Sequence, residues 1–332
     1  MGNRIDIHSE PPNFCVPNYY ITKVVKILHL FPPMCYTNYE KSVKTRVYNM
    51  IYILYNPLAN NGRGEKAAEG TFENLSGEKI FMDIRQVGEY RQFFEGLDKQ
   101  DEVVLCGGDG TLQCFINEIP KEALQFRLYY CPAGSGNDFA NDVGMEKGGK
   151  PVLLNPYLEH LPVVEFNGMQ RYFLNNFAMG IDGYVCEKAD EYKKRHRKKV
   201  NYTGIALKGL AYDYKPCKVT VTLEDGVQEF EHVWMTPTMK GRYFGGGMKV
   251  APMQERLDEE NWLTLVVVHQ KSRFRLLSVF PKIFKGEHVG YTDVVSFFKV
   301  KHAKVTFEHP VSVQIDGEVY RNVQEYEVFA EK

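Results

Sequence analysis

The chain has 332 residues, a formal net charge of −1, 44% hydrophobic residues and 13% aromatic residues. This length suits about two domains, because a single core stops growing at roughly 250–300 residues. The apolar content excludes a disordered chain, and the near-zero charge gives no global reason to expect nucleic acid as a partner.

Residues 1–49 differ from the rest of the chain, because they contain five prolines and few periodic segments. The apolar stretch 21–31 is interrupted by Lys23 and Lys26, and no small-residue cleavage site follows it. We therefore do not predict a signal peptide. The segment is interpreted as a peripheral extension of unclear role or as a product of an upstream start codon, and the sequence does not decide between the two.

From Met50 onward, strand-like and helix-like segments alternate. Such alternation is typical of a parallel sheet covered by helices on both faces, so residues 50–162 are predicted to form a three-layer α/β domain. The predicted strands are 50–55, 79–85, 102–106 and 126–131, and the predicted helices are 63–75, 89–98, 111–118 and a segment from about 137.

After about Pro162, many segments alternate polar and apolar residues, as half-buried antiparallel strands do. Residues 163–332 are therefore predicted to form a mainly antiparallel β-sandwich domain. The predicted strands are 161–166, 171–178, 218–223, 229–236, 262–269, 294–301, 303–308, 311–315 and 326–330, and the predicted helices are about 182–196, 201–212 and 273–284.

The seven cysteines include no C-x-x-C pair. Cys106 and Cys131 end apolar runs, which indicates buried strand residues in a reduced, cytoplasmic protein. No window approaches the roughly 20 apolar residues that span a bilayer.

The first chemical motif is a buried strand that ends in Gly107, Gly108, Asp109, Gly110 and Thr111 and passes directly into a helix. Glycines at such a turn let the backbone approach a phosphate, and the helix N-terminus favours its negative charge. Because Asp109 cannot attract phosphate, we predict that it orients Mg²⁺, a water or an acceptor hydroxyl. The alternative is a tight turn with no ligand, but three glycines with Asp and Thr at one strand end favour binding.

A second turn of the same kind contains Gly134, Ser135, Gly136, Asn137 and Asp138. Ser135, Asn137 and Asp138 are residue types that commonly cap helices, so helix capping without ligand binding is the alternative. Open α/β sheets bind ligands at the carboxyl ends of their strands. The two turns are therefore predicted to face one crevice.

A third turn follows the first strand, where Asn56 and Asn60 could contact ribose or phosphate and Arg63 could offset phosphate charge. An ordinary Asn/Pro/Gly turn is an equal alternative. The chain has no G-x-x-x-x-G-K-[ST] motif, and no G-x-G-x-x-G follows the first strand, which excludes a P-loop and gives little support to a dinucleotide fold.

Four motifs in this order carry a resemblance: GGDGT at 107–111, PAGSGNDFA at 132–140, GGGMKVAP at 245–252 and IDGE at 315–318. The set resembles the diacylglycerol kinase catalytic-domain family, in particular the soluble bacterial lipid kinases related to diacylglycerol and sphingosine kinases. The resemblance covers about residues 50–332. It implies an ATP-binding α/β domain, a β-rich lipid-substrate domain, a cleft between them, and Mg²⁺.

The resemblance implies that residues 107–113 and Ser135 line the ATP site, and the turn residues extend this set. The predicted ATP-site residues are Asn56, Gly107, Gly108, Asp109, Gly110, Thr111, Leu112, Gln113, Gly134, Ser135, Gly136, Asn137 and Asp138.

The resemblance also implies that Glu318 accepts the proton of the lipid hydroxyl, with Asp109 nearby. A partly buried carboxylate suits this task, because burial raises its pKa toward the working pH. Asp316 and Gly317 are at the same time a strong hairpin signal, so a plain turn is the alternative.

The family's Mg²⁺ loop aligns with residues 251–263, and the implied ligands are Glu260 and the carbonyls of Leu257 and Trp262. The usual Asp-Gly pair is replaced by Glu260 and Asn261, so Asp258 or Glu259 could serve instead. Gln113 and Cys114 likewise stand where the family commonly has Asn-Glu.

The basic run 193–199 could contact an anionic membrane surface at about 1 kcal/mol per basic residue. A solvated helix end favoured by the helix dipole is an equal alternative. We therefore expect a cytoplasmic protein that binds a lipid substrate, that could associate peripherally with the inner membrane face, and that could form a homodimer.

The sequence as a whole predicts an ATP-dependent lipid kinase, with diacylglycerol as the expected substrate. One alternative is a kinase of a soluble substrate such as NAD, since NAD kinases share GGDGT. The other is a non-catalytic nucleotide- or lipid-binding regulator, which the altered metal loop suggests.

Overall fold

The computed structural model of the chain describes residues 49–73, 77–134, 136–146, 149–196 and 200–332. The predicted extension, Ser135 of the second turn and residues 197–199 of the basic run lie outside these ranges, apart from residue 49. Within the described ranges, no helix has both the length and the apolar character needed to cross a bilayer.

The first domain is built on a parallel sheet in the strand order β2-β1-β3-β4-β5. Its strands are β1 (Met50–Tyr55), β2 (Glu78–Asp83), β3 (Glu102–Gly107), β4 (Arg127–Pro132) and the antiparallel edge strand β5 (Val152–Leu153). Its helices are α1 (Ala59–Gly62), α2 (Gly64–Phe72), α3 (Tyr90–Glu95), α4 (Asp109–Glu118), α5 (Asp138–Asp142) and α6 (Asn155–Leu158).

Both faces of this sheet are buried, which confirms the predicted layers. Successive residues of a strand point to opposite faces, and Ile53 and Leu54 are both fully buried in different clusters. One cluster holds Phe115 and Phe139 from helices after the two glycine turns, and the other holds Phe72 of α2. The edge strand β5 was not predicted, because two residues give no periodic signal.

The second domain is a ten-stranded, antiparallel sheet. Its β9 pairs with both β10 and β16, which brings the sheet back on itself. The strands are β6 (Val163–Phe166), β7 (Met169–Tyr172), β8 (Asn176–Met179), β9 (Cys217–Leu223), β10 (Gly226–Met235), β11 (Thr238–Met239), β14 (Leu263–His269), β15 (Val295–Val300), β16 (His302–Ile315) and β17 (Glu318–Phe329), with a separate hairpin of β12 (Tyr243–Phe244) and β13 (Met248–Lys249).

Three α-helices accompany this sheet: α7 (Ile181–Arg195), α8 (Tyr202–Lys208) and α9 (Arg273–Val279). The predicted helix 201–212 ends early and continues as a π-helical turn, Gly209–Asp213. The predicted helix 273–284 changes to a 3₁₀-helix, Phe280–Lys285, where Pro281 supplies no backbone N–H. A further 3₁₀ turn covers Glu287–Gly290.

Three predicted strand segments of the second domain combine or divide differently in the structure. Segments 303–308 and 311–315 are one strand, β16, whose register shifts near Pro310. A proline in a strand is tolerated at such a bulge. Segment 171–178 is instead two strands, β7 and β8, because the backbone N–H groups of Leu174, Asn175 and Asn176 turn toward the Asp316 carboxylate.

A buried ion pair fixes the two domains to each other. Asp142 at the end of α5 accepts from Arg256 Nε at 2.7 Å and from Arg242 Nε at 2.6 Å. The side chains of Asp142 and Arg256 are only 2% and 6% exposed. Arg256 also donates to the carbonyl of Leu174 and to Asn175 Oδ1. The hydrogen bonds of Arg256 and Arg242 therefore hold the two domains in one relative orientation.

We expect Asp142→Ala to destabilise the protein by about 3–5 kcal/mol, because it leaves the Arg256 guanidinium buried without its partner. Urea unfolding at pH 7 measures this loss. Glu122→Ala is the matched control, because Glu122 pairs with Arg91 at 3.7 Å on the exposed surface, and it should cost less than about 1 kcal/mol. Equal losses in the two variants would contradict the assigned role of Asp142.

Candidate active site

The two glycine turns meet at one edge of the first domain, as predicted. Strands β3 and β4 are parallel neighbours in which Gly107 pairs with Pro132, and the N–H of Ala133 donates to the Gly107 carbonyl at 2.8 Å. A Cβ added to Gly134 would lie 2.6 Å from the Cα of Gly108. The two backbones can touch in this way only because neither residue has a side chain.

Asp109 ties the first turn to the second. Its Oδ2 accepts from the N–H of Asp138 at 3.2 Å, and its Oδ1 accepts from the N–H of Phe139 at 3.1 Å. These are the first two residues of α5, whose N–H groups have no acceptor within the helix. Asp109 therefore caps α5 from another helix, and its predicted role toward Mg²⁺ or a hydroxyl remains a prediction.

Asn137 closes the second turn on itself. Its Oδ1 accepts from the N–H of Gly134 and its Nδ2 donates to the Gly134 carbonyl, both at 3.0 Å. The residue has φ of +54°, a left-handed conformation that Asn tolerates better than most residues. Its side chain does not cap α5, contrary to the alternative that the sequence left open.

The third turn joins the same edge. Asn56 Nδ2 donates to Thr111 Oγ1 at 2.8 Å, while Asn56 Oδ1 accepts from the N–H of Leu58.

Two other predicted ATP-site residues, both in α4, turn inward. Leu112 is 1% exposed in the core, and the buried Gln113 donates from Nε2 to the Tyr172 carbonyl at 2.7 Å. Their side chains hold α4 in place and do not line the edge.

Asp138 connects the second turn to the second domain. Its buried carboxylate accepts from the N–H groups of Gly246 at 2.9 Å and Gly247 at 2.8 Å. These glycines lie between β12 and β13 with φ of +81° and +106°, which explains the glycine run of the third motif. Burial and the neighbouring Asp109 raise the pKa of Asp138 to about 6, although the two N–H groups oppose this rise.

Glu318 lies over the helix that begins at the first turn. Its Oε1 accepts from Cys114 Sγ of α4 at 2.9 Å. Desolvation and the Glu318 carboxylate raise the pKa of the Cys114 thiol to about 12, so the thiol stays protonated and donates. The predicted base and the predicted phosphate turn are therefore attached to one helix, a contact that the sequence did not predict.

Asp316, the first residue of the hairpin turn before Glu318, is buried and anchors that turn. Its carboxylate accepts from the N–H groups of Leu174, Asn175 and Asn176 at 2.7–2.9 Å. Burial raises its pKa to about 7, the three N–H groups oppose the rise, and the charge of Asp109 adds to it. The Asp-Gly turn is therefore both a hairpin and the support of Glu318.

Residues of the predicted Mg²⁺ loop have hydrogen-bond partners within the protein. Glu260 Oε2 accepts from Trp262 Nε1 at 2.6 Å, the Trp262 carbonyl accepts from Gln254 Nε2, and Leu257 is 57% exposed. One oxygen of Glu260 and the Trp262 carbonyl therefore already accept hydrogen bonds, and the Mg²⁺ ligand set stays a prediction. In the described part of the chain, no three His, Cys, Asp or Glu residues are grouped to hold a metal.

A lysine lies beside this loop. The ammonium of Lys240 donates to Asn261 Oδ1, and Asn261 has φ of +56°, as a residue replacing the family glycine requires. Burial and the nearby Arg256 lower the pKa of Lys240 to about 8. Lys240 therefore adds a positive charge beside the loop, where Arg256 is already paired with Asp142.

The Asp138 carboxyl should give stability a specific pH dependence. Its folded pKa of about 6 exceeds an unfolded value of about 3.9. Its contribution is therefore full below pH 4 and is lost as the pH rises through 6. Relative to Asp138→Asn, the wild type should lose roughly 3 kcal/mol of unfolding free energy between pH 4 and 7.

Urea unfolding across this pH range measures the difference between the two proteins. Asp225→Asn, which removes an exposed carboxyl between β9 and β10, serves as the control. A difference between wild type and Asp138→Asn that stays constant or grows with pH would show that the raised pKa is wrong.

Comparison with known families matches the two domains separately. Residues 50–160 match the model of the diacylglycerol kinase catalytic domain. Residues 175–327 match the model described as the YegS C-terminal NAD kinase beta sandwich-like domain.

Individual relatives cover most of the chain. It is 25% identical over 299 residues to "Putative lipid kinase YtlR" of Bacillus subtilis (strain 168), covering 81% of this chain and 93% of the relative. It is 27% identical over 280 residues to "Diacylglycerol kinase" of Mycobacterium tuberculosis (strain ATCC 25618 / H37Rv), covering 80% and 87%.

The fold is shared with a solved structure titled "Crystal structure of a putative diacylglycerol kinase from Bacillus anthracis str. Sterne". The TM-score is 0.59 at 18% identity, and the match covers 86% of this chain and 95% of the other. The matched family models and the named relatives agree: residues 50–160 are similar to the diacylglycerol kinase catalytic domain, and the chain is similar over most of its length to proteins named as lipid or diacylglycerol kinases.

Proposed function

We propose that the protein transfers the γ-phosphoryl group of ATP to the hydroxyl of a lipid, with diacylglycerol as the first candidate and phosphatidic acid as its product. The observation that carries the proposal is the attachment of Glu318 to α4, the helix whose first residues form the GGDGT turn. The proposed phosphate turn and the proposed carboxylate base therefore meet at one helix.

The first turn of α4 supports binding of the ATP phosphates. The N–H groups at a helix start lack acceptors within the helix, and the helix dipole favours negative charge there. Gly110 lies in this turn, is exposed, and has open space where a side chain would stand. A phosphate can therefore approach the main chain closely. Mg²⁺ enters this proposal as part of the ATP substrate, which carries the ion on its phosphates.

Glu318 would act as the general base. One carboxylate oxygen is held by the Cys114 thiol, and the other lies 3.5 Å from the Tyr320 hydroxyl. A lipid hydroxyl that gives its proton to this carboxylate attacks the γ-phosphorus, and ADP leaves with the bridging oxygen. The residues contribute position and charge compensation, which is what phosphoryl transfer mainly requires.

We expect Glu318→Gln to lower kcat for lipid phosphorylation at least a hundredfold, because a general base typically contributes about 10²–10⁴-fold. ATP affinity, measured by calorimetry, should stay at the wild-type value. Asp109→Asn should instead weaken ATP binding as well as abolish turnover, because it removes the charge that caps α5. Glu224→Gln on the exposed β9–β10 turn is the control. Full activity in both site variants would exclude the assignment.

Transfer of labelled phosphate from ATP to a panel of acceptors identifies the substrate class. The panel contains diacylglycerol, monoacylglycerol, a sphingoid base and NAD. Labelling of NAD alone would favour a kinase of a soluble substrate. ATP binding without labelling of any acceptor would favour a non-catalytic regulator, and either result would overturn the proposal.

A further inference from the structure

Two exposed aromatic side chains protrude from adjoining elements of the second domain. Phe274 on α9 is 87% exposed, and Tyr212 in the π-helical turn is 81% exposed. Arg273 donates to the carbonyls of Leu210 and Tyr214, each at 2.7 Å. Because these carbonyls flank Tyr212, the guanidinium holds the two ring-bearing elements together, and both rings stand on a rigid support.

Two further large side chains are partly exposed on α8, the helix that leads into the π-helical turn: Leu207 at 42% and Tyr202 at 43%. Together with Tyr212 and Phe274 they form what we call the aromatic patch. An exposed patch of large apolar side chains on a water-soluble surface commonly marks a site of contact with a partner or a membrane.

A basic rim adjoins the aromatic patch. It consists of Lys193, Lys194 and Arg195, the last three residues of α7. The ammonium of Lys193 lies 5.6 Å from the ring centroid of Tyr202, which joins the rim to the patch. All three are exposed, and within the described residues no carboxylate forms an ion pair with Lys194 or Arg195. Their charges are therefore available to an anionic partner.

We propose that the aromatic patch and the basic rim dock the protein on an anionic lipid bilayer, at the inner membrane face. Aromatic rings are favoured at the boundary between lipid headgroups and acyl chains. Basic residues next to that boundary are attracted by anionic headgroups. A two-fold contact between copies of the chain would instead bring two basic rims close together, and in the described residues only Lys193 of the rim has an ion-pair partner, Asp190. The proposal rests on the proposed function for its purpose, since a lipid substrate stays in the bilayer.

Sedimentation with vesicles tests the proposal on the full chain, without turnover. The vesicles contain phosphatidylcholine with or without phosphatidylglycerol. The wild type should bind the anionic vesicles, more weakly as salt is added. The double variant Tyr212→Ser, Phe274→Ser and the double variant Lys194→Glu, Arg195→Glu should each bind at least about tenfold more weakly. Thermal unfolding like that of the wild type would show that both variants are folded.

Matched controls separate the patch from surface change in general. Val227→Ser removes an exposed apolar side chain, 63% exposed, from β10, and Lys121→Glu reverses an exposed charge on the first domain. Both should bind vesicles like the wild type. Equal binding to neutral and anionic vesicles, wild-type binding by either double variant, or no vesicle binding at all would overturn the proposal. So would light scattering that shows a wild-type dimer and a monomeric aromatic variant.

Two further measurements distinguish a defect in membrane docking from a defect in catalysis. With a short-chain lipid dispersed without vesicles, both double variants should turn over like the wild type, whereas Glu318→Gln should bind vesicles normally. Vesicle binding with no phosphorylation of any lipid would reject the proposed function and leave the docking surface in place.

Discussion

The contact between Gly108 and Gly134 is the constraint on which the rest of the site depends. Two backbones that approach without side chains put the ends of β3 and β4 side by side, and Asp109 then reaches the start of α5. Asp138, fixed by this contact, reaches in turn to Gly246 and Gly247 of the second domain. A chain of carboxylate-to-amide hydrogen bonds therefore runs from the first turn across the domain boundary.

Three carboxylates make most of these connections, and each accepts hydrogen bonds from main-chain N–H groups. Asp109, Asp138 and Asp316 together accept from seven backbone amides. Hydrogen bonds to an ionised acceptor are short and stronger than neutral ones. Three carboxylates can stand beside the proposed phosphate site, because their oxygens face the protein's own amides.

The sequence predicted the strands of the first domain well, because strands of a parallel sheet are buried on both faces and appear as continuous apolar runs. It also predicted that the two glycine turns share an edge, since this follows from parallel neighbours alone. The contact between Cys114 and Glu318 could not be predicted, because it joins residues 204 positions apart. The ion pair of Asp142 with Arg256 spans 114 positions and follows no local pattern either.

The inward position of Leu112 and Gln113 shows a second limit of motif reasoning. A motif names consecutive residues, whereas successive residues of a helix point in different directions around its axis. Only part of any run such as 107–113 can therefore face a ligand. The metal loop shows a third limit, because a lysine distant in sequence, Lys240, occupies space beside Asn261 that the loop's own residues do not reveal.

The Cys114 thiol beside Glu318 is a possible attachment point for a covalent inhibitor. Cys114 is exposed, and its sulfur lies 2.9 Å from the carboxylate. Because its pKa is raised to about 12, little thiolate is present near neutral pH, and freely diffusing alkylating reagents would react slowly. A weak electrophile carried by a compound that binds at the proposed site would react faster, because binding keeps it beside the sulfur. Covalent labelling of this cysteine would thus report occupancy of the site.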